Sequence, residues 1–110
     1  MPYHEGKIWS NVTEPVHRRS GPTTHHPIID QFQAGQEFLV LCYSLGDTEQ
    51  FENPTNPPGH PFTSNAWDFV VTSEQDTGGY VADVFIDTGG DIRQQLGTQG
   101  TCPALKGRLV

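Results

Sequence analysis

At 110 residues the chain has room for one domain with a core of modest size, not for two. Thirteen acids against six bases leave a formal net charge of −7 at pH 7, the wrong sign for gripping nucleic-acid phosphates or an anionic membrane surface. With 34% hydrophobic residues, 12 glycines and 9 prolines, the chain is broken too often for a helical bundle and fits a small all-β domain with long loops.

Residues 1–11 read as a polar arm in which Tyr3, Ile8 and Trp9 are the large apolar groups, and their spacing predicts no element. The opening Met-Pro-Tyr-His-Glu-Gly-Lys lacks the cationic-then-apolar plan of a signal peptide, and no apolar run approaches the roughly 20 residues of a membrane span. Export is therefore expected to rest on a leader already removed or on release by lysis. Val12 to Arg19 is the first expected strand, running into Ser20-Gly21-Pro22-Thr23. There Gly frees the backbone and Pro fixes φ near −65°, so the turn is set locally.

Ile28 to Phe32 leads through Gln33-Ala34-Gly35-Gln36 into Glu37 to Ser44. In that stretch Phe38, Val40 and Cys42 alternate with Leu39, Leu41 and Tyr43, so both faces are apolar and the strand is expected at the centre of the fold. Gly46 to Ser64 reads as a long surface loop, because Asn53 to Pro61 carries four prolines in nine residues. Loops of that length in small domains are usually functional or mobile. Trp67 to Thr72 and Tyr80 to Ile86 form a hairpin turned at Ser73 to Gly79, and a short helix is expected at Ile92 to Leu96. Phe38, Val40, Trp67, Val81 and Phe85 are the expected core.

Chemistry-bearing residues are scattered. His4, His17, His25, His26 and His60 have no metal-ligand spacing, and neighbouring His25 and His26 point apart on an extended chain. Ser20 and Cys42 sit in no nucleophile pattern, and Asp68, Asp83, Asp87 and Asp91 flank strands and turns, where short acids bond backbone amides. No catalytic, metal or cofactor residue is assigned. Cys42 and Cys102 are either two buried thiols or a disulfide; zinc is disfavoured without a Cys-x-x-Cys pair. The aromatics are more suggestive, since Trp and Tyr present a rigid apolar face with a polar handle. The candidate binding set is Trp9, Tyr43, Phe51, His60, Phe62, Trp67 and Tyr80.

Taken in order, Arg19-Ser20-Gly21-Pro22-Thr23, the strand bearing Cys42, Trp67-Asp68, Gly79-Tyr80-Val81-Ala82-Asp83, Thr88-Gly89 and the closing Cys102 resemble the bacterial SH3-like domain. The form is the one common in secreted and phage-encoded proteins of actinobacteria. The resemblance covers residues 12 to 103. It implies a small SH3-like, mostly antiparallel β-barrel with a long Pro-rich loop and extended terminal arms, residues 1–11 and 104–110. It also implies a Cys42–Cys102 disulfide. Arg18 departs from the pattern, standing where an apolar strand residue is usual, and reads as shielding an edge.

The function implied is a non-catalytic module, extracellular or virion-associated, that binds a bacterial cell-wall glycan or peptide. The alternative is a structural or adapter protein of an actinobacteriophage virion, docking through its arms and loops and forming homo-oligomers within the assembly. Neither reading calls for nucleic acid, a membrane or a cofactor.

Overall fold

Alternating inward and outward residues build a single curled antiparallel sheet in the computed structural model, which describes residues 4–10, 12–51, 63–97 and 100–103. Its strands are β1 (His4–Ile8), β2 (Val16–Arg19), β3 (Ile28–Phe32), β4 (Glu37–Gln50), β5 (Thr63–Val71), β6 (Gly79–Ala82) and β7 (Ile86–Asp87). They lie in the order β3-β2-β6-β5-β4-β1-β7, an all-β half-barrel. One short helix, α1 (Ile92–Leu96), falls where the sequence places it. Asp91 caps it by accepting the Arg93 amide, and Gly97 ends it at φ 67°. Residues 52–62, with His60, Phe62 and the Pro-rich run, and the tail at 104–110 lie outside the described residues.

Part of the expected N-terminal arm is instead a strand. β1 pairs antiparallel with β4, from His4 opposite Val40 to Lys7 opposite Glu37, and Lys7 and Ile8 pair with β7. Its inward positions are Gly6 and Ile8, so apolar periodicity does not reveal it. A Cβ on Gly6 would lie 3.1 Å from Ile86 Cγ2 and 3.2 Å from Phe38 Cε1, so glycine is what lets β1 approach the core. Trp9 follows it into the interior.

β4 runs six residues further than expected, through Gly46 to Gln50, with two register shifts against β5. Val40 faces Val70, Leu41 is extra, and Tyr43 faces Asp68. An extra residue reverses which side chains point inward and tightens the curl. After β6 a 3-10 turn at Asp83–Phe85 interrupts the expected continuous strand. It releases the chain from β5 and delivers β7 to β1.

The inner face of the sheet holds the main core, including Ile8, Val40, Tyr43, Val70, Val81, Ile86 and Ile92. A second cluster gathers Trp67, Ala82 and Val84, with Phe51, Tyr80 and Phe85 partly buried against it. Phe38, Val40, Trp67 and Val81 are buried as expected, whereas Phe85 is only partly so.

Arg18 does not shield an edge, because β2 lies between β3 and β6. It is 5% exposed, with its guanidinium bonded to both Asp30 carboxylate oxygens at 2.8 and 2.6 Å and to Asp76 at 2.6 Å. Its Nη1 also donates to the Val70 carbonyl at 3.2 Å, and its charge lies 5.0 Å from the Phe32 ring centroid. Cys42 and Cys102 form a buried disulfide, Cα–Cα 4.9 Å, tying β4 to the C-terminal segment, where Thr101 bridges to Tyr43.

Candidate functional site

The turn after β2 is docked onto the far end of β4. Within it, Arg19 Nη1 donates to the carbonyls of Thr24 and His26, each at 3.0 Å, which folds the turn back on its own strand. Thr24 then donates to Asp47 from its amide at 3.2 Å and from its hydroxyl at 3.0 Å. A Cβ on Gly46 would sit 1.6 Å from the Pro22 carbonyl oxygen, so this contact tolerates no side chain. The indole of Trp67, on the neighbouring strand, donates to the Asp47 carbonyl at 2.8 Å. Turn, strand end and indole are thus fastened together through Gly46 and Asp47.

Beside this junction lies a groove of about 330 Å³. Its floor is Trp67 and Ala82, with Phe51 and Phe85 packed at 5.5 Å between ring centroids and tilted 46°. Residues 12–16 form one wall, and Arg19 with Thr24 from the docked turn forms another. Glu14 and Glu49 bring negative charge to the lining and His17 an imidazole. Volumes of this order, with an apolar floor and a few polar groups, are typical of small-ligand sites. A shallower depression of about 470 Å³ lies over Gly6, among Glu5, Lys7, Glu37 and Asp87, without an aromatic floor comparable to Trp67.

Of the aromatics singled out in the sequence, the groove brings together Phe51 and Trp67. Tyr80 belongs to the same cluster but packs edge-on against Phe69, ring centroids 5.2 Å apart. Trp9 is 7% exposed, its amide donating to the Phe85 carbonyl at 3.1 Å. Tyr43 lies in the main core with its hydroxyl donating to the Gly97 carbonyl at 3.3 Å. His60 and Phe62 are outside the described residues. The sequence reading missed Glu14, Glu49, Arg19, Thr24 and Phe85 as groove residues. Arg19 and Thr24 were signalled only by their place beside Ser20-Gly21-Pro22.

Two of the scattered acids meet in the interior. Asp68, on the inward face of β5, is 0% exposed and Asp83 is 1% exposed. No N–H or hydroxyl of the described residues donates to either Asp68 oxygen. Burial first, then the charge and hydrogen bonding of Asp83 and the charge of Asp91, hold the Asp68 carboxyl well above the usual carboxylate range. A proton kept on Asp68 neutralises one charge and can be given to Asp83.

This carries a sign for stability. A carboxyl whose native pKa is raised stabilises the fold fully below its unfolded value of about 4, and that contribution is lost as pH rises toward the native value. Asp68→Asn keeps the shape and a donor for Asp83 without the titration. It is expected to flatten the fall in melting temperature between pH 4 and 8 and to be the more stable protein at pH 8. Parallel slopes for the two proteins would show that Asp68 does not control this limb.

Among known proteins, an uncharacterised protein of Bacillus subtilis (strain 168), YraJ, is 34% identical to this chain over 80 residues. The match takes in 70% of the chain and 61% of YraJ, so the chain spans about three fifths of that relative. No family model matches the chain, and no solved structure gives a significant match.

Proposed function

We propose that this chain is a non-catalytic binding module of the bacterial SH3-like type, which recognises bacterial cell-wall polymer in the groove floored by Trp67. The observation that carries the reading is the junction at Gly46 and Asp47. The turn and the tryptophan, two of the features on which the resemblance rests, meet there and together frame a concave apolar surface. Recognition concentrates where loops are held on a rigid scaffold. A disulfide is compatible with an extracellular setting, and the interior acids Asp68 and Asp83 are too buried to meet a substrate.

The test is co-sedimentation of the chain with purified bacterial cell-wall sacculi, beside Phe51→Ala, whose side chain is only partly buried. Sacculi are expected to retain the parent chain, and Phe51→Ala to lose at least about fivefold in affinity while still melting cooperatively, as for an aromatic anchor. Equal retention of the two would remove the groove from consideration.

The virion-adapter reading has one observation in its favour. β3 is paired on one side only among the described residues, and it exposes Ile28 at 50% and Ile29 at 49%. Retention by phage particles and not by sacculi, abolished by Ile28→Lys, would favour it.

A further inference from the structure

We infer that the groove is built for a peptide bearing a free primary amine, with its aliphatic stem on the aromatic floor and its ammonium paired with Glu14 and Glu49. The inference rests on the reading that this groove is the binding site.

The charges in the groove are not balanced. Arg19 supplies the permanent positive charge, and its Nη1 is already committed to two carbonyls of its own turn. Glu14 and Glu49 come from different segments, and neither forms an ion pair or accepts a hydrogen bond among the described residues. Two uncommitted carboxylates beside one occupied guanidinium favour a cationic guest, and the overall charge of −7 draws such a guest in from a distance.

The floor points to the rest of the ligand. Trp67 is 2% exposed and Phe51 and Phe85 meet at a tilt of 46°, so the groove offers ring edges at a corner and not the open flat face on which a sugar ring stacks. A methylene chain fits such a furrow, since long basic side chains lay their stems along apolar surface while the charged head stays in water. Partial desolvation between aromatic edges and carboxylates further favours the ammonium.

The deciding experiment compares sacculi before and after acetylation of their free amines with acetic anhydride. It is supported by titration of the full chain with N-acetyl-Ala-Lys-Ala-amide and with the same peptide acetylated at Nε. Acetylation is expected to weaken retention at least about fivefold. Glu14→Gln and Glu49→Gln should each weaken binding of untreated sacculi by about two- to fivefold, as for a partly exposed ion pair, without a change in melting temperature. The loss should shrink as salt is raised.

Untreated and acetylated sacculi held equally well, with Phe51→Ala still defective, would overturn the amine while leaving the groove reading in place. Sacculi that hold no protein at all would overturn both. Competition by N-acetylglucosamine trisaccharide, with none by the lysine peptide, would assign the groove to glycan instead.

Discussion

Arg18→Ala is expected to destabilise the fold by about 3 kcal/mol, the lower end of what removing one partner from a buried ion pair costs. The guanidinium is 5% exposed and holds two carboxylates, a backbone carbonyl and the face of Phe32. Its loss leaves Asp76, with a side chain only 12% exposed, without its counter-charge. The lower end is appropriate because Asp30, at 44%, remains largely in water. Asp76 also keeps the amides of Thr72 and Gly78 and the Thr72 hydroxyl.

The network sets the acid limb of stability too. Arg18 first, then the Gly78 and Thr72 hydrogen bonds, hold the Asp76 carboxyl far below the usual carboxylate range against an opposing desolvation. A depressed native pKa contributes stability above the unfolded value of about 4, and that contribution is lost as pH falls toward the native value. Denaturant melts of the parent, Arg18→Ala and Asp76→Asn from pH 2 to 7 should show the parent weakening below pH 4 and Asp76→Asn weakening less. A loss under 0.5 kcal/mol for Arg18→Ala at pH 7 would mean that the ions only break even with their desolvation. With Asp68 acting in the opposite direction above pH 4, the most stable protein is expected in mildly acidic solution.

Much of the sheet was legible because its inward residues are large and regularly spaced. Phe38 and Val40 on β4, and the hydrophobic run around Trp67, mark strands by ordinary alternation, and Asp91 with Gly97 brackets α1 by capping chemistry. What escaped depends on contacts made only in the fold. β1 presents a glycine to the core, and its place is decided by the approach to Phe38 and Ile86. Tyr43 looked like a surface aromatic because strict alternation cannot anticipate the extra residue at Leu41, which turns it inward opposite Asp68. Arg18 looked misplaced because its partners lie 12 and 58 residues away. The groove was half legible for the same reason. Trp67 and Phe51 stand out by residue type, whereas Glu14 and Glu49 resemble any solvated acids until the sheet curls and brings them beside the indole.

The second large effect belongs to the disulfide. Replacing Cys42 and Cys102 together by Ala is expected to cost about 4 kcal/mol, the chain-entropy value for a loop of this length, since the bond joins residues 60 apart. Alanine is the better replacement because both sites are buried, and a serine hydroxyl there would need a partner. Where the loss appears is informative. The segment held by Cys102 continues from α1, which places Ile92 in the main core, and Thr101 bridges to Tyr43 on β4. Unlinking it frees the end of the chain from the central strand and lets α1 loosen before the sheet does. For a domain whose whole stability is on the order of 5–15 kcal/mol, a loss of that size lowers the melting temperature by about 15–25 °C. It leaves the protein marginal in a reducing compartment. Peptide mapping without reductant should recover the Cys42 and Cys102 peptides joined, and melts with and without reductant should differ by that interval. Coincident melts, with the bond verified before and its reduction after, would mean that packing of Ile92 and the Thr101 bridge already hold the C-terminal segment in place.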